Sequence, residues 1–379
     1  MDLPLGSPSI QSRRPVIEHD EGPSRDAPRS FAVSAPLVRS RLNGGLKPCV
    51  AQIFTRLCAS ALMASPAGCA PARLDAEHPR APTAAANAFA VDAAELHRPT
   101  TFIVYGDMRF TDVSETTASR PGPRHALVAK IAAERPDAVF LTGDVPWHGG
   151  NENDYRVFRE ETAAWRSVQL RVFPVLGNHE FQQCAQADCL EHWWQTFPPL
   201  RGRRWYAVAL GEQLRFFALD SDASLLPGSE QAGWLQQEID ALSGSVRFVV
   251  ILLHHPPLTD APEGVRANEA ALATRLAAAV PQVSAHFVVC AAHVHNYERF
   301  ERAGVTYLVS GGGGAKPSPV MRTAADRYQG EGYPNFHFLR FELIAHQLRG
   351  EMIRLSDADA IAPGRWAIQD RFEVNAAAP

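Results

Sequence analysis

Five short polar loops, each following an apolar run, constrain this chain more than any other feature. In order they are Gly106-Asp107, Gly143-Asp144, Gly177-Asn178-His179-Glu180, His254-His255 and His293-Val294-His295. The runs before them (TFIVY, DAVFL, VFPVL, FVVILL and AHFVVC) are short, β-branched and aromatic, as strands covered on both faces are. Loops at the carboxyl ends of such strands converge on one rim of an open sheet, so residues far apart in sequence can share a site.

The residue types in that rim suit a binuclear metal centre. Two cations about 3.5–4 Å apart can clamp a phosphoryl group and supply a hydroxide, which requires a carboxylate that bridges both ions. The five loops contain no cysteine, which argues against a thiolate structural zinc site. Aspartate with neutral imidazole fits iron, manganese or zinc.

The loops also carry a resemblance. LLHHPP and HVHNYER in the fourth and fifth loops, followed by Val305-Thr-Tyr-Leu-Val-Ser and the glycine run Gly311 to Gly314, resemble the calcineurin-like metallophosphoesterases, most closely their purple-acid-phosphatase-related bacterial branch. The resemblance covers roughly residues 101 to 355, and five ordered motifs are far more specific than a lone GD or HxH. It implies an α/β fold, a four-layer αββα sandwich of two mixed β-sheets flanked by helices. It further implies a metal-dependent hydrolase that cleaves phosphate esters of a small substrate by attack of a metal-bound hydroxide, with two divalent or trivalent ions as cofactors. A phosphomonoesterase resembling the acid phosphatases is the leading expectation. A phosphodiesterase on the same site and a degenerate, non-catalytic phosphate- or metal-binding protein are the alternatives. By the family pattern Asp107 and His295 bind the first metal, Asp144 bridges, and Asn178, His254 and His293 bind the second. His179 then contacts substrate or protonates the leaving group.

Three positions depart from the pattern. Many relatives have Asp-x-His in the first loop, whereas this chain has Asp107-Met108-Arg109, and guanidinium is not a metal ligand. Purple phosphatases offer a tyrosine three residues after the bridging aspartate; here that residue is Trp147, so a tyrosinate-iron colour is not expected. Arg109 is either a phosphate contact, through its planar fork, or a structural ion pair. Ala292 stands where glycine is usual.

Each further assignment has a structural competitor. Strand alternation lets only one of His254 and His255 reach the metals. The motif selects His254, leaving His255 and Glu180 to support the ligands or touch substrate. His148 either contacts substrate or is a solvated surface histidine. Tyr297-Glu298-Arg299 reads as a buried hydrogen-bonded support for the fifth loop. No GKS or GKT follows Gly311 to Gly314, so this is not a P-loop, and close backbone approach to the metal rim is expected instead.

Composition separates the ends from the middle. Residues 1–97, rich in Pro, Ala, Ser and Arg, read as a mostly disordered region, 98–360 as the catalytic domain and 361–379 as a C-terminal tail. Arg39 to Lys47 followed by Val50 to Ala64 resembles a signal segment, about 39–69, with Cys69 as a candidate lipid anchor. Export to the periplasm or exterior stands against a cytoplasmic protein with an over-early start. No apolar run is long enough to span a membrane. Net charge is −4 and the pI near 6.4, with no basic cluster in the catalytic part, so nucleic acid is not suggested as a partner. Cys184 and Cys189 can close a small disulfide, and Cys290 reads as a buried hydrophobe.

Periodicity predicts helices over 125–135, 155–168, 230–242 and 268–280, paired strands over 205–210 and 214–220, and a closing hairpin at 336–343 and 347–355. Cys184 to Pro199 is expected either as a lid or wall, or as a helix packed on the core.

Overall fold

The computed structural model describes residues 88–330, 335–356 and 365–376. The signal-like segment and Cys69 lie outside them. Thirteen strands and six α-helices follow in chain order: β1 (Ala88–Val91), β2 (Thr100–Tyr105), α1 (Pro121–Glu134), β3 (Ala138–Leu141), α2 (Glu152–Glu161), α3 (Ala163–Ser167), β4 (Val172–Pro174), α4 (Gln186–Thr196), β5 (Tyr206–Leu210), β6 (Leu214–Ala218), α5 (Glu230–Asp240), β7 (Phe248–Leu252), α6 (Ala267–Ala279), β8 (His286–Ala291), β9 (Tyr297–Arg302), β10 (Val305–Ser310), β11 (His337–Ile344), β12 (Gln347–Leu355) and β13 (Trp366–Asn375).

They build two mixed sheets. One has the order β1-β5-β6-β7-β8-β10-β9, the other β13-β12-β11-β2-β3-β4. Strands β2, β3 and β4 are mutually parallel, as are β6, β7, β8 and β10. Within each sheet the polar loops therefore leave in a common direction, because each follows one of these parallel strands.

Strand alternation sorts the core into layers. Phe102 of β2 and Phe140 of β3 meet Phe216 of β6 between the sheets, at ring separations of 4.9 and 4.1 Å. One residue along, Phe217 points to the opposite face and meets Trp234 of α5 at 5.9 Å, while Tyr105 reaches Trp165 of α3 at 6.2 Å. Helices α1 to α3 thus cover one sheet and α5 and α6 the other, which is the expected four-layer arrangement. Fully buried Phe side chains contribute roughly 1.5–3 kcal/mol each, so this aromatic seam is a main source of cohesion between the sheets.

Several elements differ from the sequence reading. The helix expected over 155–168 breaks at Thr162, whose hydroxyl bonds Phe158 O at 2.6 Å and competes with the backbone ladder. Strand β1 falls before the expected boundary at 98 and pairs with β5, and β13 falls in the expected tail and pairs with β12 along its length. Strand β1 buries one residue of four and β13 two of ten, too few to write an alternating apolar pattern. Cys184 to Pro199 is largely the helix α4, packed on the core through buried Cys189, Leu190 and Trp193, and a disulfide joins Cys184 to Cys189 with 5.6 Å between their Cα atoms. Cys290 is free and buried.

Candidate metal centre

Three of the turns that bring the loops together place four non-glycine residues at positive φ: Asp107 at 59°, Arg109 at 49°, Asp144 at 56° and His293 at 69°. Asp tolerates this region better than most residues, which suits Gly-Asp at a strand end. Space is as tight as the turns. A Cβ on Gly177 would stand 2.6 Å from Asp144 Oδ1, and one on Gly311 would stand 2.2 Å from Val294 O and 2.5 Å from Asp107 Oδ2. The glycine run therefore presses its backbone against the first and fifth loops. The Ala292 methyl is accommodated only because Gly106 faces it, where a Cβ would lie at 2.7 Å.

The structure brings Asp107, Asp144, Asn178, His254, His293 and His295 to one place. Asp107, Asp144 and His254 have no solvent exposure. Hydrogen bonds fix which nitrogen each histidine presents. His254 Nδ1 lies 2.9 Å from Thr142 O and His295 Nδ1 lies 2.9 Å from Lys316 O. A carbonyl only accepts, so both rings carry their proton on Nδ1 and turn the Nε2 lone pair inward.

Acceptors then face acceptors at two points. Buried His295 Nε2 lies 3.6 Å from buried Asp107 Oδ1, and neither atom has a hydrogen-bond partner. His254 Nε2 faces Asn178 Oδ1 at 3.0 Å and Asp144 Oδ1 at 3.3 Å, with His293 Nδ1 3.2 Å from the same Asn178 oxygen. Lone pairs opposed in this way repel unless a cation lies between them. The field at the same point attracts positive charge: burial disfavours a charged His254, yet the Asp144 and Asp107 carboxylates outweigh it and raise its pKa. Burial also pushes Asp107 up to about 7, while His293 and His295 are lowered to about 3 and are neutral ligands at ordinary pH. Asp144 is buried too, but neighbouring His254, His179 and Arg109 hold it well below the usual carboxylate range. Oxygen and imidazole donors converging on two points fit a pair of metal ions.

His179 stands beside them. Its Nδ1 donates to Trp147 O at 2.6 Å, its ring stacks on Trp147 at 4.6 Å, and its Nε2 lies 3.7 Å from Asp144 Oδ2. Burial lowers its pKa to about 4. Arg109 donates to Asp144 Oδ2 through Nε at 3.3 Å and Nη2 at 3.2 Å, and its guanidinium lies 5.2 Å from the Trp147 ring centre.

Glu180 is wholly buried and accepts N–H bonds from Gly177 at 2.8 Å, Val145 at 2.9 Å and Asp144 at 3.0 Å, so it fastens the second loop to the third rather than facing substrate. His255 bonds Ser221 Oγ at 2.9 Å, and its ring lies 4.2 Å from that of His293. Its ring nitrogens come within 4.8 Å of those of both His254 and His293, closer than alternation along a strand allows, because the pair sits past the end of β7. His148 is half-buried rather than solvated, its N–H held by Asp154 at 2.9 Å. Tyr297 and Arg299 both bond Asp370 at 2.8 Å and Glu298 accepts from Thr259 at 2.8 Å, which makes this trio a support for the fifth loop. The sequence reading missed the carbonyls of Thr142, Trp147 and Lys316, since no side-chain identity signals which backbone oxygen will meet a ring. It also missed Asp370, the β13 anchor of the trio.

A model of the calcineurin-like phosphoesterase family matches residues 97–297. Among solved structures, purple acid phosphatase PPD1 from yellow lupin (Lupinus luteus) aligns with a TM-score of 0.58 at 17% identity, over 73% of this chain and 53% of that one. This chain thus spans about half the length of the lupin enzyme, and at that identity the likeness is one of fold. A dimetal phosphatase from Danio rerio aligns with a TM-score of 0.48 at 15% identity, over 72% of this chain and 99% of that one. No curated protein matches the chain. Among the described residues, no helix is long and apolar enough to cross a membrane.

Proposed function

Because the chain belongs to the calcineurin-like phosphoesterase family, whose members hydrolyse phosphoric esters, we propose that it is a binuclear phosphomonoesterase. In this reading Asp107, Asp144 and His295 hold one ion, and Asp144, Asn178, His254 and His293 hold the other. The observation that carries it is the pair of buried, partnerless acceptors Asp107 Oδ1 and His295 Nε2 facing each other at 3.6 Å. Metal ions bound there would neutralise charge on the phosphoryl oxygens and acidify the attacking water.

The remaining roles fall to the chain. Trp147 O holds the proton on His179 Nδ1, so the reactive position is Nε2. An arriving phosphate dianion favours the imidazolium against the desolvation that otherwise suppresses it, and Nε2–H can then pass to the leaving oxygen. Arg109, steadied by Asp144 and Trp147, keeps a guanidinium beside the bridging carboxylate with further N–H groups to offer a phosphoryl oxygen. A monoester has one more terminal phosphoryl oxygen than a diester, so this extra cation favours the monoester.

Metal content per chain, with Asp144→Asn as control, tests the reading, followed by hydrolysis of phenyl phosphate and bis-phenyl phosphate. About two ions in the wild type, lost in the variant, with faster turnover of the monoester, supports it. Faster turnover of the diester points to a phosphodiesterase, and one ion or none after incubation with Mn, Fe or Zn points to a binding protein.

A further inference from the structure

Beside the first loop lies a cavity of about 420 Å³ lined by Thr116, Thr117, Arg120 and Lys316. Its two cations are exposed, and neither forms an ion pair among the described residues, unlike Arg124 next to them, which is paired with Glu161. The carboxylate closest in sequence, Glu115, is occupied by the N–H and hydroxyl of Thr117 and by Ala118 N. Two like charges facing one cavity repel, and an anion placed between them relieves the repulsion.

The cavity is tied to the metal rim by short links. Lys316 O receives the Nδ1 proton of His295 at 2.9 Å, and Ala315 N donates to Asp107 O at 2.9 Å. Arg120 N donates to Gly314 O at 2.7 Å, and the preceding Ser119 hydroxyl bonds Arg109 O at 3.1 Å. The backbone that carries both cations is therefore fastened to the side of the centre where this chain has Arg109 in place of an imidazole.

We propose that this cavity is a second anion subsite, through which the enzyme selects phosphomonoesters bearing another negative group, a carboxylate or a second phosphate, a few bonds from the scissile phosphoryl. The inference rests on the monoesterase reading and specifies its substrate class. Nothing in it needs chemistry at the second anion: Arg120 and Lys316 bind and orient.

The test is calorimetric binding to the metal-loaded full chain of alkylphosphonates on a ladder of short linkers, ended by methyl, by carboxylate or by a second phosphonate. At one linker length the anionic end should tighten binding about tenfold, the scale of one charge-assisted contact. The gain should be largely lost in the Arg120→Ala variant while the methyl-ended ligand binds unchanged, and the better of carboxylate and phosphonate identifies the natural group. No gain at any length, or an equal gain in the Arg120→Ala variant, overturns the subsite and leaves the monoesterase reading standing. Failure to bind even the methyl-ended phosphonate strikes that reading instead, and the subsite falls with it.

Discussion

Replacing Gly311 with alanine should disable the centre without replacing a ligand. The added Cβ would stand 2.2 Å from Val294 O and 2.5 Å from Asp107 Oδ2, against the roughly 3.2–3.5 Å that a carbon–oxygen contact needs, so one strand end must retreat by about 1 Å. Neither neighbour is free to yield: Asp107 Oδ2 accepts from His293 N at 2.8 Å, and Val294 O accepts from Asn296 N at 2.6 Å. Overpacking of this sort costs about 1–3 kcal/mol, and losing one of those buried bonds adds about 1 kcal/mol. At about 2–4 °C per kcal/mol, the melting temperature should fall by roughly 4–16 °C. The retreat also separates Asp107 from His295, so the ion they share should be lost before the other. Gly122→Ala in the first turn of α1 is the control, since nothing lies within 4 Å of its Cβ, and it should raise stability by about 0.5–1 kcal/mol. Calorimetry and elemental analysis of both variants decide the matter. If Gly311→Ala melts with the wild type and keeps its metal, the glycine run is not packed on the metal loops and the reasoning fails.

Three other outcomes follow from the same geometry. His179→Gln should lower kcat on a monoester by about 10²–10⁴ while metal content stays constant, because in the proposed reading His179, held by Trp147, serves the leaving group and completes neither ligand set; a parallel loss of metal would contradict this. Arg109→His recreates Asp-x-His and should slow removal of the more weakly held ion by a chelator, whereas an unchanged removal rate would mean the first site needs no further donor. Buried His337, between Ser310 Oγ and Asn335 O at 3.0 Å each, has its pKa lowered from 6.5 to about 4 by burial. The unfolded chain therefore binds its proton first on acidification, and the stability tied to this group is full above pH 6.5 and is lost as pH falls from 6.5 to about 4, by roughly 3 kcal/mol. Denaturant titrations at neutral pH and pH 4 should show a decline larger by about that amount in the wild type than in His337→Gln.

How much could be read in advance depended on where the information sits. The runs before Asp107, Asp144, His254 and His293 are apolar on both faces, so their strands and their parallel pairing were legible from periodicity. Strands β1 and β13 were not, because too few of their side chains are buried to write an alternating pattern and their pairing is made by backbone groups common to all residues. Thr162 divides a helix that looked continuous, since a hydroxyl competing for Phe158 O leaves no mark on apolar spacing.

The sequence by itself determined the donor types and their order, because metal chemistry admits few side chains and those must follow buried strands to share a rim. Tertiary structure alone decided which nitrogen of His254 and His295 points inward, since carbonyls of Thr142 and Lys316 set it across long separations. It also decided that Glu180 binds three amides, that Trp147 serves His179 through its backbone oxygen and ring, and that Arg109 is held by Asp144. These are relations between a side chain and a distant backbone or charge, and such relations exist only once the sheets have packed and the loops stand within hydrogen-bond reach.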